Sequence, residues 1–258
     1  MRLKDKVIIV TGSTTGVGEG IARRCVAEGA RVLIHGRDEQ RAATIAGELG
    51  DATACHVDDI ADPEAPKRIV DAAVNAFGKL DAICNNAAWV VRSDIDTTDV
   101  EMFDRVIAIN TRAPFLMIKA ALPHLTATQG CVLNIGSING YCGEGNQFAY
   151  SVSKGALITL SRNLSDALGT KKVRVNHFNL GWVLTPNEYK LKISEGLPED
   201  WPTTLPGVYA PSGRILSPAD VAAAAVYWLG DESRPVSGTV LELEQYPMIG
   251  RNPIKEGD

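Results

Sequence analysis

Short apolar runs alternate with longer amphipathic stretches along most of the chain. The apolar runs predict strands at 7–10, 32–34, 82–84, 132–135, 173–178 and 240–243. Apolar residues spaced three or four apart predict helices at 18–27, 38–49, 63–77, 100–122, 149–168 and 218–229. Continuous apolar runs are typical of strands buried on both faces, and parallel pairing needs helical crossovers. The alternation therefore predicts an α/β fold: a doubly wound parallel sheet with helices on both faces, in three α/β/α layers.

The domain organisation follows from the same rhythm. No repeat, low-complexity stretch or linker interrupts it, so we expect a single domain over residues 1–258. Residues 186–217 depart from the rhythm and are rich in Pro, Gly, Trp and Tyr. A long segment of this kind in a compact domain usually has a function of its own, so residues 186–217 are predicted to be a lid over the substrate.

Charge and cysteine content exclude several classes of partner. The net charge of −5 offers no basic stripe for nucleic acid. The five cysteines include no C-x-x-C pair, which favours reduced thiols over a zinc ribbon or a redox dithiol. The apolar run at 7–10 is far too short for a signal-peptide core, and nothing approaches the roughly 18 residues of a membrane span. We therefore expect a cytoplasmic protein with no membrane or nucleic-acid partner.

A glycine-rich turn joins the first predicted strand to the first predicted helix. It reads Thr11-Gly12-Ser13-Thr14-Thr15-Gly16-Val17-Gly18. Glycines let the backbone approach a pyrophosphate, and the free N–H groups at a helix start bind the anion. Taken alone, the same residues also fit a tight strand-to-helix turn, but the strand before and the helix after favour a dinucleotide site.

Three polar residues suggest acid–base chemistry. Tyr150 and Lys154 are four residues apart, so they share one face of a helix. A free tyrosine has a pKa near 10, and a nearby ammonium favours the phenolate, which suits Tyr150 to general acid–base work. Ser137 follows the strand at 132–135, at the edge where open α/β sheets gather ligand groups. A helix with a half-buried Tyr and a solvated Lys remains the alternative for Tyr150 and Lys154 alone.

In combination these motifs resemble the short-chain dehydrogenase/reductase family. The resemblance rests on the G-x-x-x-G-x-G spacing, on Asn85-Asn86-Ala87 after the strand at 82–84, and on Tyr150-x-x-x-Lys154, and it spans about residues 6–243. It implies a Rossmann-like oxidoreductase that transfers a hydride between a nicotinamide cofactor and an alcohol or carbonyl substrate. By the same resemblance, Ser137 orients the substrate from thirteen residues before Tyr150, and Asn110 is the fourth catalytic residue, which holds a water in a proton relay.

The resemblance also implies a set of cofactor contacts. Lys154 would hold the nicotinamide ribose, Asp59 the adenine ring, and Thr185 the region of the carboxamide. The complete predicted set is Gly12, Ser13, Thr15, Gly16, Val17, Gly18, Arg37, Asp59, Ile60, Asn86, Ala87, Tyr150, Lys154, Gly181, Val183 and Thr185.

The end of the second strand favours NADP. Enzymes that use NAD usually place an acid there for the ribose 2′-OH, and this chain has Gly36 followed by Arg37. A guanidinium suits a 2′-phosphate. Two alternatives remain open: Asp38 could grip the ribose of NAD, or Arg37 could simply be solvated.

The substrate and the assembly are less constrained. No metal is expected, because the four histidines are scattered, without ligand spacing. The loop at 138–149 carries Asn139, Glu144, Asn146 and Gln147, which suits a polyhydroxylated substrate such as a sugar, polyol or hydroxy acid. A polar surface loop, or an apolar cleft lined by tryptophans, is equally open, and a non-catalytic dinucleotide sensor is the alternative function. Surplus apolar residues in helices 100–122 and 149–168 predict a homo-oligomer, either tetramer or dimer.

Overall fold

The architecture is a single seven-stranded parallel sheet. The computed structural model describes residues 1–246, so residues 247–258 of the predicted domain lie outside the described residues. The strand order is β3-β2-β1-β4-β5-β6-β7, and all neighbouring pairs are parallel. The strands are β1 Val7–Val10, β2 Arg31–Gly36, β3 Thr53–Val57, β4 Ala82–Asn85, β5 Cys131–Ser137, β6 Arg174–Leu180 and β7 Val240–Leu243. This confirms the predicted doubly wound sheet.

Helices cover both faces of the sheet. Alternate residues of β1 belong to two hydrophobic clusters on opposite faces of the sheet. Ile8 and Val10 pack with the helices Gly16–Ala27 and Pro218–Leu229, and Val7 and Ile9 pack with the helices Ala65–Phe77 and Ala113–Thr128. The helices are α1 Gly16–Ala27, α2 Glu39–Leu49, α3 Ala65–Phe77, α4 Val100–Ile107, α5 Ala113–Thr128, α6 Asn139–Cys142, α7 Phe148–Leu168, α8 Pro186–Ser194, α9 Trp201–Thr204 and α10 Pro218–Leu229. None of the helices within residues 1–246 combines the length and apolar character needed to cross a bilayer.

The sheet reverses its order at β1, which pairs with β2 on one side and β4 on the other. In open α/β sheets the crevice at such a reversal, outside the carboxyl ends of the strands, is where ligands bind. The glycine-rich turn leaves β1 at this point, and Asn85 ends β4 beside it.

The structure differs from the predicted elements in three places. The sequence pattern missed β3, an edge strand whose residues are mostly half-exposed. The predicted helix 100–122 is divided by a π-helical turn, Ala108–Arg112, into α4 and α5. The predicted lid at 186–217 contains two short helices, α8 and α9.

Candidate active site

Two adjoining cavities open at the carboxyl ends of the strands. The cradle cavity, about 550 Å³, is lined by the glycine-rich turn, residues 35–37 and residues 58–60. The tyrosine cavity, about 500 Å³, is lined by Ser137, Tyr150 and Lys154. The residues common to both linings are Val17, Asn86, Ala88, Val90, Thr185 and Glu188. A ligand in the cradle cavity therefore reaches the residues around Tyr150.

The cradle has the backbone geometry of an anion site. Gly12 has a φ of 63°, and a Cβ there would lie 2.9 Å from the Ala87 Cα. Gly16 also has a positive φ, 58°. Thr15 caps α1 with an extended backbone and makes no side-chain capping hydrogen bond, so the first N–H groups of α1 have no side-chain acceptor. These groups face the cavity with the positive end of the helix dipole, which fits the pyrophosphate of a dinucleotide.

Ser13 and Gly18 support the cradle from behind instead of lining it. The Ser13 hydroxyl is fully buried and accepts a hydrogen bond from the His35 amide over 2.9 Å. A Cβ on Gly18 would overlap the Gly12 carbonyl and the Asn86 side chain. Ser13 and Gly18 thus fix the shape of the turn, and their predicted cofactor contacts stay predictions.

Asn86 and Thr11 hold the cradle against β4. The Asn86 side-chain amide donates to the carbonyl oxygens of Thr11 and Gly12 over 2.9 and 3.1 Å. The Thr11 hydroxyl accepts from the amides of Asn86 and Ala87, each over 3.0 Å. Asn86 and Ala87, two of the predicted cofactor contacts, both line the cradle cavity.

Of the two charged residues that follow β2, Arg37 lines the cradle cavity and Asp38 does not. Arg37 is exposed and lines the cradle cavity. The Asp38 carboxylate instead caps α2 by accepting the Arg41 amide over 3.0 Å. Gly36 lies against Thr14, whose Cγ2 would be 2.5 Å from an added Cβ.

His35 is a neutral part of the cradle wall. Its Nδ1 accepts the Gly12 amide over 3.2 Å, and burial lowers the pKa of the imidazole to about 4. His35 was not predicted to belong to the site. Its position beside Gly36, at the end of the second strand, was the signal that could have indicated it.

Three carboxylates line the cradle cavity, and two of them, Asp58 and Asp59, are paired with arginines, while Glu188 accepts the Trp182 indole N–H. Asp58 binds Arg68 over 2.8 Å, and that guanidinium holds the pKa of the Asp58 carboxyl below its usual range. Asp59 binds Arg105 over 2.9 Å, beside Ile60. Because Arg68 and Arg105 neutralise Asp58 and Asp59, Arg37 is a further positive charge at the cavity.

Tyr150 and Lys154 lie in α7 and face Ser137 at the end of β5. Burial raises the pKa of Tyr150 to about 12, with a partial opposing effect of its hydrogen bond with Ser137. Burial also lowers the pKa of Lys154 to about 8. The Lys154 Nζ donates to the Ile135 carbonyl over 2.8 Å and lies 5.6 Å from the Tyr150 ring centroid. The Tyr150 pKa is thus raised and not lowered in this structure, because desolvation of the phenolate outweighs the hydrogen bond with Ser137.

Asn110 lies in the π-helical turn and lines neither cavity. Its Oδ1 accepts the Trp89 amide over 2.8 Å, and its Nδ2 donates to the Trp89 carbonyl over 3.1 Å and to the Ser153 hydroxyl over 3.0 Å. These hydrogen bonds bridge the connection after β4 to α7, and the predicted role of Asn110 in a proton relay stays a prediction. Such π turns inside helices are frequent at functional sites.

The loop between β5 and α7 faces the tyrosine cavity with its polar side chains. Asn139, Glu144, Asn146 and Gln147 all line the cavity. The Asn139 side-chain amide donates a hydrogen bond to the Gln147 side-chain carbonyl over 2.8 Å, and this bond orients both side chains. The opposite wall contains residues that the sequence did not point to: Arg92, Glu188, Lys192 and Tyr209.

The turn after β6 joins the two cavities to the lid. Gly181, Val183 and Thr185 line the tyrosine cavity, and Thr185 caps α8 by accepting the Glu188 amide over 3.1 Å. A Cβ on Gly181 would overlap the Glu244 carboxylate, which accepts the Trp182 amide over 3.1 Å.

An aromatic cluster anchors the lid segment, residues 186–217. Trp201 is buried, with its ring stacked on Trp182 at 5.3 Å and on Tyr189 at 6.4 Å between centroids. Tyr209 contacts Trp182 edge to face at 6.3 Å. The tryptophans therefore form both the anchor of the lid and, through Trp182, part of the cavity wall.

The acidic, cysteine and histidine side chains give no sign of a metal site. Within residues 1–246 no group of three or more His, Cys, Asp or Glu residues could hold a metal ion.

Comparison with known proteins defines the class. A short-chain dehydrogenase family model described as enoyl-(acyl carrier protein) reductase matches residues 12–244. The chain is 35% identical to bovine L-fucose dehydrogenase, over 93% of this chain and 88% of that one. It is 32% identical to the NADP-dependent (R)-specific alcohol dehydrogenase of Lentilactobacillus kefiri, over 92% and 94%. A solved 3-ketoacyl-(acyl-carrier-protein) reductase from Brucella melitensis, complexed with NADH, superimposes with a TM-score of 0.83 at 29% identity, covering 93% of this chain and 97% of that one.

This chain belongs to the short-chain dehydrogenase/reductase family, as its motifs suggested. It is an NAD(P)-dependent oxidoreductase that transfers a hydride between a nicotinamide cofactor and an alcohol or carbonyl substrate.

Proposed function

We propose that this protein is an NADP-preferring alcohol dehydrogenase and carbonyl reductase for a polyhydroxylated substrate, built as one dinucleotide-binding and catalytic domain. The observation that carries the proposal is the junction of the two cavities, with Thr185 and Glu188 in both linings. When bound, the nicotinamide accepts or supplies the hydride. The protein's own residues bind and orient both reactants and move the proton.

Ser137 and Tyr150 are the proposed proton-handling pair. The pKa of Tyr150, about 12, keeps the phenol protonated at neutral pH, which is the form that donates a proton to a carbonyl oxygen in reduction. The Ser137 hydroxyl orients that oxygen and stabilises the charge that develops on it. In oxidation Tyr150 must accept the hydroxyl proton, and the Lys154 ammonium favours this when it turns from Ile135 towards the phenol.

The preference for NADP rests on charge at the end of β2. Arg37 lines the cradle cavity, the Asp38 carboxylate is committed to capping α2, and residue 36 has no side chain. A 2′-phosphate therefore meets a guanidinium and no competing acid from this turn. One relative is described as NADP-dependent, whereas the solved reductase holds NADH, so direct affinity measurements decide between the cofactors.

The polar loop supports a substrate with several hydroxyl groups. Asn139, Glu144, Asn146 and Gln147 line the cavity, and their amide and carboxylate groups can form hydrogen bonds with substrate hydroxyls. The relative described as L-fucose dehydrogenase is consistent with this class of substrate.

A dehydrogenase screen tests the proposal. Purified protein is incubated with NADP or NAD and a panel of polyols, sugars, hydroxy acids and simple secondary alcohols, and the absorbance of the reduced cofactor is followed. We expect turnover of hydroxylated substrates with NADP. Tight cofactor binding without turnover of any substrate would support the non-catalytic sensor instead.

A further inference from the structure

Arg92 and Lys192 place two cations on one wall of the tyrosine cavity. Arg92 lies in the connection after β4, and Lys192 lies in the last turn of α8. Their side chains are 29% and 17% exposed, so both are largely removed from solvent. A cation in such a place interacts with a ligand more strongly than one on an open surface.

One carboxylate serves both cations. The Glu195 Oε1 accepts from the Arg92 Nε over 2.9 Å, and its Oε2 accepts from the Lys192 Nζ over 2.7 Å. The Lys192 hydrogen bond is the main cause of the lowered pKa of the Glu195 carboxyl, which keeps it ionised. The cluster therefore carries one net positive charge. The Arg92 bond uses Nε, so the two terminal nitrogens of the guanidinium can still donate to a ligand.

Of the other charged groups that line the cavity, Glu188 lies on α8 with Lys192, whereas Glu144 and Lys154 lie elsewhere. Glu188 accepts the Trp182 indole N–H over 2.8 Å and also acts on Tyr150, whose pKa it raises. Glu144 is exposed on the loop before α7, and Lys154 is bound to Ile135. Glu188 offsets the net charge of the cluster, but its carboxylate already accepts the Trp182 indole N–H, whereas Arg92 is bound through Nε and keeps its terminal N–H groups for a ligand.

We propose that Arg92 and Lys192 bind a carboxylate of the substrate, which makes the substrate a hydroxy acid and the product the corresponding keto acid. This rests on the proposed function. The carbinol would lie at Ser137 and Tyr150, where its O–H proton would pass to the Tyr150 phenolate and its C–H hydride to the oxidised cofactor when that is bound, as the C=O bond forms. The carboxylate is unchanged by the reaction and only positions the molecule. Guanidinium groups bind carboxylates through paired N–H donors, which fixes orientation as well as charge.

The competing explanation is that the three residues only tether the lid segment to the connection after β4. The two explanations differ in the role of Glu195. For a tether, loss of Glu195 is as harmful as loss of Arg92. For a carboxylate site, Glu195 competes with the substrate, so its neutralisation strengthens binding of an acid.

Matched pairs of substrates test the proposal. Wild-type protein is assayed with lactate, 3-hydroxybutyrate and gluconate, and with the carboxamide of each. We expect kcat/KM to be at least about tenfold higher for the best acid than for its amide, the low end of the effect of one charge-assisted hydrogen bond. Equal or better turnover of the amides overturns the carboxylate site. Absence of turnover with every hydroxylated compound overturns the proposed function itself and this inference with it.

Variants then separate the two explanations. R92Q and K192Q should raise KM for the acid about tenfold more than for the amide, and K190Q is the matched control, because Lys190 is exposed on the same helix and lines neither cavity. E195Q should lower KM for the acid. Equal losses on acid and amide in R92Q, or an E195Q variant that resembles R92Q, assign the cluster to the lid alone. Melting temperatures confirm that each variant is folded, and R92K should recover part of the discrimination.

Discussion

The Lys154 ammonium donates a hydrogen bond to the Ile135 carbonyl oxygen over 2.8 Å, and both the lysine and the strand β5 are buried. This bond holds the reactive amine at the edge of the sheet. Burial lowers the pKa of the amine from 10.5 to about 8, so the folded state releases this proton before the unfolded state does.

That shift makes stability depend on alkaline pH. Between about pH 8 and 10.5 the unfolded protein binds more protons at Lys154 than the folded protein, so this residue makes stability rise with pH. From pH 8 to 9 the gain is about 1 kcal/mol. The difference in unfolding free energy between wild type and K154M, measured with urea, should grow by this amount in favour of wild type. A difference that is constant over this range contradicts the pKa assignment.

Tyr150→Phe should remove the transferable proton and little else. We expect kcat to fall by a factor of about 10² to 10⁴, with the affinity for the dinucleotide nearly unchanged. Tyr141→Phe is the matched control, because Tyr141 lies in the neighbouring helix α6 and lines neither cavity. Steady-state rates and cofactor titration provide the test, and near-native kcat in Y150F removes Tyr150 from the mechanism.

Arg37→Gln should weaken NADPH selectively. Because Arg37 is exposed, we expect the low end of a charge-assisted bond, about a tenfold rise in the Kd of NADPH, with that of NADH almost unchanged. Arg41→Gln is a suitable control, since Arg41 is exposed in α2 and does not line the cradle cavity. Fluorescence titration of both reduced cofactors is the measurement. Tighter binding of NADH by the wild-type protein would mean that β2 selects NAD.

Gly36→Asp is not a simple route to NAD. Its Cβ would lie 2.5 Å from the Thr14 Cγ2, so the substitution displaces the cradle turn as it adds an acid. We expect the single variant to bind both cofactors more weakly. The pair G36D with T14A should relieve most of this overlap and shift the preference towards NADH, which the same titrations measure.

The lid segment should become protected when both ligands bind. Lys190, Lys192 and Arg214 are tryptic sites in this segment, and Lys171 and Lys172 provide a control site remote from the cavities. Closure over the substrate would exclude water from the reaction, so cleavage in the segment should slow with cofactor plus substrate. Mass spectrometry of timed digests measures both sites. Equal rates with and without ligands argue against a lid.

Association should involve α5 and α7. Phe115 is 40% exposed, Phe148 37% and Val152 43%, and the last two are four apart on one face of α7. We expect a dimer or tetramer by light scattering at micromolar concentration, and a shift towards monomer in Val152→Glu. Val236→Glu, at an equally exposed site outside these helices, is the control. A wild-type protein that is strictly monomeric contradicts the prediction.

The sheet and the reactive residues could be predicted because they depend on local patterns. Central strands such as β5 are buried along their whole length and read as apolar runs. Edge strand β3 was missed because residues such as Thr53 and His56 are only partly buried, so no run marks it. The π turn at Ala108–Arg112 leaves the apolar spacing of α4 and α5 nearly continuous, and periodicity could not reveal it.

The charged wall of the tyrosine cavity could not be predicted, because it joins residues far apart in the chain. Arg92 and Glu195 meet across an ion pair of 2.9 Å that no local pattern encodes. The start of α8 did have a local signal: Thr185, Pro186 and Glu188 follow the pattern of a capped helix start, and the structure forms that cap. The direction of the Ser13 side chain could not be predicted from its place in the motif, because its hydroxyl accepts a hydrogen bond from the distant His35 amide.

The Glu244 carboxylate occupies the space beside Gly181, so substitutions at these two distant positions depend on each other. Any side chain at residue 181 needs the space that Glu244 fills, and a shorter residue at 244 removes the acceptor of the Trp182 amide. In a combinatorial library, a small residue at position 181 should appear more often together with a smaller residue at position 244 than alone, because a single substitution must displace the Glu244 carboxylate from the Trp182 amide. Substrate range around the Trp182 wall is therefore open to change through pairs of substitutions that single-site screening would not find.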